Sequence, residues 1–495
     1  MEVIEIIFEC TADWGPAAGT ARLVCEASGY RAWSCMIALQ RLSEAYDDIG
    51  AAAIPDYRRV FGEPSWKMQR AHMKAFDDRD PAVLVIGAGQ AGLAAAARLT
   101  NLGIDTLVID RQKRIGDNWR NRYDALVLHN QTNMNHLPDM PFPDSWPNYI
   151  PKDKLASWFE IYTEAMEINV WNETQITAAS YDDTRHLWTI ALDRMGHGAV
   201  TLHPRHVIFA TGVSSIPTTP KTPGIENFKG VVVHSADFTD GSAWAGKSAI
   251  VFGTGNSAHD VTQDLAANKV AVTMIQRSPT YVISLAEAQK LYELYNEGLP
   301  LEDADLISSG TPFPVLLKAC QTLTANARKV DTPLLEGLRE KGFRIEFGAD
   351  DSGFQPMYLR RGGGYYFNLG CSDLIVDGTV KVVDGATVSG FVEDGLKLAG
   401  GSLVKADLVV FATGFKNQQE TVRAILGDSF ADKVGEVWGL DESGELNNMW
   451  NPTSQEGLWF TGGGLGQCRI YSKCLALQIK RDLALRNAEI AAAAE

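Results

Sequence analysis

The stretch VLVIGAGQAGLAAAARLTNLGIDTLVID, residues 83–110, decides how this chain folds. VLVI follows Asp80-Pro81 and is a short unbroken apolar run, the pattern of a parallel strand buried on both faces. GAGQAG comes next, with Gly87, Gly89 and Gly92, and then the Ala/Leu-rich LAAAARLTNLG, a helix that ends near Gly103. DTLVID is a second strand and ends at Asp110, 23 positions after Gly87. Each part has a physical reason. Gly87 permits a tight turn, Gly89 lets the backbone approach a pyrophosphate, and Gly92 lets the helix pack closely on the strand. The helix N-terminus turns its free N–H groups toward the anion. Asp110 accepts hydrogen bonds from the adenosine ribose. Strand, glycine turn, helix, strand and acid together make a dinucleotide-binding unit.

The chain carries the pattern twice. SAIVF (248–252) leads into GTGNSA, with Gly253, Gly255 and Ala258 at the glycine positions and Asn256 and Ser257 opening the helix HDVTQDLAANK. The next strand, VAVTMIQR, ends at Arg277, 24 positions after Gly253. An acid there would accept from a ribose 2′-hydroxyl, whereas the planar guanidinium of Arg277 favours the 2′-phosphate of NADP. Ser278 and Thr280 can add donors. Two dinucleotides on one chain imply a flavin fed with hydride by a nicotinamide, here FAD and NADPH. HVIFATGV (206–213) and DLVVFATGF (407–415) read as the return strands of the two units. Each ends in a Thr-Gly turn, with Gly212 and with Thr413-Gly414, where glycine permits close backbone approach. The proline-rich SSIPTTPKTPG (214–224) reads as an interdomain linker.

Composition sets the outer limits. A chain of 495 residues is expected to hold two or three domains of about 150 residues each. With 45 Lys and Arg against 61 Asp and Glu the formal charge is −16, which disfavours nucleic-acid and anionic-membrane partners. Seven cysteines, odd in number and without a CxxC pair, argue against a disulfide scaffold, a zinc ribbon or a dithiol redox centre. Buried free thiols in a reducing cytoplasm are the expectation. No signal-peptide pattern and no long uncharged apolar run are present, so no membrane partner is expected. His203 and His206 lack a third ligand, so no metal is expected.

FKGVVVHSADF (228–238) carries Phe228, Gly230, His234 and Phe238. It resembles the signature of the class B flavoprotein monooxygenases, FxGxxxHxxx followed by Tyr or Trp. That group includes flavin-containing and Baeyer–Villiger monooxygenases, and Phe238 departs from both strict forms. GDNWRNRYDALVLHN (116–130) and LPDMPFPDSWPNYIPKDKL (137–155) are similar to the segment after the FAD acid in flavin-containing monooxygenases, including plant indole-3-pyruvate monooxygenases. The resemblance runs from about residue 81 to about 485.

The resemblance implies an α/β fold of two Rossmann-like dinucleotide-binding domains, the NADPH domain inserted in the FAD domain. Residues 81–214 and 415–495 would be the FAD domain and 215–414 the insert, with a helical excursion over 284–346 that can roof the site. RRGGGYYFN (360–368) reads as a glycine-rich aromatic loop, a lid or cavity wall. Residues 1–80 form a short β-rich N-terminal extension. Residues 3–8 and 21–27 alternate like strands, with Ser28-Gly29 turning the second into YRAWSCMIAL. Too small to bury its own core, this piece is expected to add to the main sheet or mediate a homodimer. RDLALRNAEIAAAAE at the C-terminus reads as a fraying helix.

The resemblance also implies the chemistry. NADPH reduces FAD, O₂ adds to form a C4a-(hydro)peroxyflavin, and one oxygen passes to a small organic substrate at S, at N or at a ketone. The alternative is an NADPH oxidase or reductase that makes peroxide without oxygen transfer. Trp119 and Arg120 resemble family residues beside the flavin, with Asn118 a polar neighbour and Arg111 beside the ribose acid. For the asparagine that supports oxygenation, the candidates are His129, Asn130 and Asn133, and Asn130 is favoured. His234, next to the linker, is expected to position NADP or couple domain movement. GGGLGQCRIYSK (462–473) is a glycine loop running into a helix whose N-terminal amides can face the flavin, with Gln467 beside it.

Overall fold

In the computed structural model, which describes residues 3–27, 29–43 and 60–494, Val83–Ile86 is the central strand of a five-stranded parallel sheet. The order is Leu458–Phe460, His206–Phe209, Val83–Ile86, Thr106–Ile109, Asn169–Trp171. The four residues of each of the strands 83–86, 106–109 and 206–209 are buried, as unbroken apolar runs require when helices cover both faces. The helix Gln90–Asn101 packs on this sheet through Ala91–Ala97 and Leu99, and Gly103, at φ 75°, turns the chain into the next strand.

The second motif builds a second parallel sheet, ordered Val231–His234, Leu408–Phe411, Ser248–Phe252, Ala271–Gln276, Lys381–Asp384. The two halves match element for element. In each, the third strand of the series feeds a three-stranded antiparallel meander, 174–202 in one and 388–405 in the other, before the return strand. The chain leaves the first half after His206–Phe209, builds all of the second, and returns to add Leu458–Phe460 and the long helix Leu465–Ala494. The two crossings lie side by side. Pro217 and Phe415 bridge antiparallel, the Thr218 amide donates to the Gly414 carbonyl and the Lys416 amide to Ile216.

Residues 284–346 are helical, with Leu301–Ser309, Phe313–Val330 and Thr332–Glu340 as the main segments. Three expectations need correction. RRGGGYYFN is not a free loop: Tyr365–Asn368 is a strand paired in parallel with Tyr281–Ser284. The N-terminal strands Val3–Ala12, Gly15–Glu26 and Gly29–Leu39 join neither main sheet and form their own antiparallel meander. That meander rests on the excursion, where Arg22 donates to the Gly310 carbonyl at 2.9 Å and to Thr311 Oγ1 at 2.8 Å. Ser28, half of the expected turn, lies outside the described residues. The β-rich extension also holds a helix, Trp66–Ala75, capped by Ser65 and tied to the first half by Trp171 Nε1 donating to the Lys74 carbonyl. Of the cysteines, Cys320, Cys371 and Cys468 are buried, but Cys25, Cys35 and Cys474 are exposed.

Candidate functional site

Both glycine turns sit at the C-terminal ends of their central strands, where nucleotides bind in open α/β sheets. In the first, Gly87 takes φ 111° and a Cβ there would stand 2.6 Å from the Ala210 carbonyl oxygen. Asn118 reaches over Gly89, its Nδ2 being 3.0 Å from the position of an added Cβ. Asp110 accepts from the Ala88 amide at 2.6 Å through one oxygen and from the Gln112 amide at 2.7 Å through the other. This fixes the carboxylate at the strand end and leaves each oxygen a further lone pair for a ribose. Arg111 beside it is exposed.

Gln90, the first residue of the helix, is a contact that sequence reading missed. Its side chain accepts from Trp119 Nε1 at 3.1 Å and donates to the Gly463 carbonyl at 3.3 Å. One side chain therefore joins the phosphate turn, the DNWR turn and the C-terminal glycine loop. Its place inside GAGQAG was the available signal. Gln467 Oε1 accepts from Tyr358 Oη at 2.8 Å and from the Gly464 amide at 3.1 Å, which closes the loop onto the excursion-side helix Phe354–Arg361. Arg120 is less free than expected, because its guanidinium pairs with Asp117 and with Glu160.

In the second cradle Gly253 takes φ 115°, and a Cβ there would meet the Ala412 carbonyl oxygen at 2.3 Å. Asn256 Oδ1 accepts from the Phe367 amide at 3.0 Å, so the strand misread as a loop holds this motif. Arg277 and Ser278 are exposed at the end of Ala271–Gln276. Thr280 is buried and hydrogen-bonded to Thr254 at 2.6 Å, so it serves the fold rather than a phosphate. His234 ends its strand with Nδ1 accepting from the Ala236 amide at 3.1 Å and its ring edge-on to Phe415 at 5.2 Å. Burial lowers its pKa, and its Nε2 has no protein partner. Phe415 belongs to the returning crossing that begins at Thr413 and Gly414, and Gly212 opens the outgoing one.

The halves meet through a buried polar seam. Tyr123 Oη donates to Asp260 Oδ2 at 2.8 Å, and His129 Nε2 lies 3.8 Å from the same oxygen. Burial raises the pKa of Asp260 and lowers that of His129. Tyr123 and His129 flank the segment leading to Asn130, while Asp260 lies one turn past Asn256 and Ser257 on the second-motif helix Asn256–Ala267. Asn130 is half-buried, and its carbonyl accepts from Asn135 Nδ2 at 3.0 Å. A cavity of about 450 Å³ opens along this seam, lined by Val127, Leu128, His129, Tyr149, Asp260 and Leu285 among others. Among the described residues no group of three or more His, Cys, Asp or Glu is placed to hold a metal ion.

The first cradle also fits a bound cofactor by what it leaves open. Thr211 Oγ1 and both amide atoms of Gln418 are buried there without a protein partner. A dinucleotide-binding α/β enzyme with two linked cradles is the class this geometry defines.

The chain matches the family described as flavin-binding monooxygenase-like over residues 80–419 and belongs to it. It is 30% identical to the probable indole-3-pyruvate monooxygenase YUCCA4 of Arabidopsis thaliana over 340 residues, 68% of this chain and 76% of that protein. It is 28% identical to indole-3-pyruvate monooxygenase YUCCA1 of Oryza sativa subsp. japonica, covering 71% and 80%. In fold it is similar to a flavin-containing monooxygenase from Stenotrophomonas maltophilia, with a TM-score of 0.57 at 17% identity over 82% of this chain and 99% of that one. It is likewise similar to cyclohexanone monooxygenase from Rhodococcus sp. Phi1 bound to NADP⁺, with a TM-score of 0.58 at 18% identity, covering 83% and 85%. The chain is a flavin-dependent monooxygenase, and its cofactors are FAD and NADPH.

Proposed function

We propose that this enzyme uses NADPH and O₂ to oxygenate a small, largely apolar organic molecule at a sulfur, a nitrogen or a ketone carbonyl. The observation that carries the reading is the pairing of two complete cradles with a polar seam and a cavity between them. In this reading 81–214 and 415–495 hold FAD and 215–414 holds NADPH. When bound, FAD reduced by NADPH activates O₂, and the chain's own residues position, enclose and hydrogen-bond the reactants.

The roles divide by cradle. Gly87, Gly89, Gly92, Asp110, Arg111, Asn118, Trp119, Arg120, Gly212 and Gln467 serve FAD. Gly253, Gly255, Asn256, Ser257, Arg277, Ser278, Thr413 and Gly414 serve NADPH. Asn130 hydrogen-bonds the reacting oxygen. His234, held between a strand end and the returning crossing, positions NADP and transmits movement between the halves. The free thiols, and the lack of any described helix long and apolar enough to cross a membrane, fit a cytoplasmic enzyme.

The test is rapid mixing of the NADPH-reduced yellow protein with O₂, followed by steady-state counts of NADPH used and peroxide released. The reading requires an absorbing species, neither oxidised nor reduced flavin, that substrate discharges, and peroxide yield that falls as a sulfide, amine or ketone is supplied. Stoichiometric peroxide with every substrate class would leave an oxidase instead.

A further inference from the structure

Gln418 opens the helix Gln418–Leu426, directly after the chain crosses back into the first half. It is 2% exposed. Neither its Nε2 nor its Oε1 has a hydrogen-bond partner, and among the described residues it is the one side chain with both polar ends left so. The neighbouring polar groups are satisfied elsewhere. Asn417 caps the helix through the Gln419 amide, and Thr421 Oγ1 bonds Ser215 Oγ at 2.7 Å. A buried amide without partners is costly, and native structures rarely keep one unless a ligand or an ordered water completes it.

The amide's position says which. Its Nε2 lies 3.3 Å from where a Cβ would stand at Gly462, a point that Met449 Cε approaches to 3.3 Å and Val213 Cγ1 to 3.9 Å. Gly462 opens the loop whose next residue, Gly463, accepts from Gln90. Val213 follows Thr211-Gly212, and Thr211 Oγ1 is the other buried orphan at this end of the sheet. Gln418 thus lies buried beside Gly462, two residues past the strand end Leu458–Phe460 of the first half, with neither of its amide atoms satisfied by the protein. No described side chain supplies the matching acceptor and donor.

We infer that Gln418 is a binding residue for FAD, donating through Nε2 and accepting through Oε1 at the mouth of the Gly462–Gly464 loop. FAD binding at this residue is the same in an oxygenase and in an oxidase, so it stands apart from the proposed oxygen transfer. The returning crossing then joins the two halves in a specific way, because the residue that ends it touches the flavin.

The test uses Gln418→Leu and the volume-conserving Gln418→Met in the full chain. FAD affinity is measured by titrating apoprotein, the melting temperature is taken with and without FAD, and NADP⁺ affinity is measured on the FAD-loaded protein. Loss of two hydrogen bonds predicts FAD affinity weaker by about tenfold or more. The same change leaves the apoprotein melting temperature unchanged or raised, because an unsatisfied buried amide has been removed. NADP⁺ affinity stays within about twofold. Unchanged FAD affinity overturns the inference and assigns the amide to ordered water. Loss of FAD and NADP⁺ affinity together, or a destabilised apoprotein in both variants, also overturns it, because the residue is then a packing element of the helix.

Discussion

The two halves are the same construction with different clearances. Each has its first strand in the middle, its return strand on one side and its second and third strands on the other. In the first half a Cβ at Gly92 would stand 1.9 Å from the Gly87 carbonyl oxygen and 3.2 Å from Ala210 Cβ. In the second half the equivalent residue is Ala258, fully buried, with its Cβ 3.7 Å from the Cβ position at Gly253. The third glycine of the fingerprint is thus a distance requirement between helix and turn, and the second helix stands far enough away to accept a methyl group. The halves also differ after the second strand. The first ends in an acid tied down by two amides, and the second ends in an exposed arginine.

The largest effect on cofactor binding follows from that clearance. Gly92→Ala puts a methyl group into a backbone carbonyl that cannot rotate away, so the helix must shift off the phosphate turn. Overpacking of this kind costs about 1–3 kcal/mol and here falls on the cofactor cradle itself. The expected product is colourless protein or none, read from flavin absorbance after purification. Ala258→Gly, the mirror change, costs about 1 kcal/mol in helix propensity and leaves the protein yellow. Equal effects at the two positions would mean the clearances do not govern the motif.

A second contrast concerns where the excursion is anchored. Its residues belong to the second half, yet its strongest polar tie is to the first. Arg469, on the C-terminal helix two residues after Gln467, donates to both oxygens of Asp305 at 2.8 and 2.6 Å. Its remaining nitrogen donates to the carbonyls of Met134 and His136, both at 2.8 Å. Arg469 is buried, and removing its carboxylate partner strands that charge at a cost of about 3–5 kcal/mol. Asp305→Asn is therefore expected to lower the urea midpoint strongly. Lys405→Gln, which removes an exposed pair with Asp394 in the second half, should shift stability by less than about 1 kcal/mol.

These ties mark what the sequence could and could not disclose. The fingerprints were legible because their logic is local: glycines at fixed offsets, an apolar run before them and a charged residue at the next strand end. The helical nature of 284–346 was legible from periodicity. Tyr123 and Asp260 are 137 residues apart, and Arg469 and Asp305 are 164 apart, so no local pattern couples them. Tyr365–Asn368 was hidden behind three glycines, and its partner strand lies some eighty residues earlier. Gln418 offered no motif at all, since its significance is the lack of a partner, which only the packed structure reveals. The N-terminal strands were legible as strands, but which surface they rest on depends on the excursion beneath them.

The smallest of the expected effects sharpens the contrast between the strand-end residues. Arg277 is exposed, and its guanidinium makes no ion pair among the described residues, so its removal leaves stability within about 0.5 kcal/mol. A hydrogen bond to a charged group contributes about 1.5–3 kcal/mol. If Arg277 holds the 2′-phosphate, Arg277→Asp should raise the KM for NADPH by roughly 10–100-fold with kcat little changed. It should improve use of NADH, since a carboxylate at this strand end can accept from a free 2′-hydroxyl. Steady-state kinetics with both nucleotides measures this directly. A mutant that loses activity equally with NADPH and NADH would show that the two strand ends are not equivalent positions, and the match between the halves would then stop at the fold.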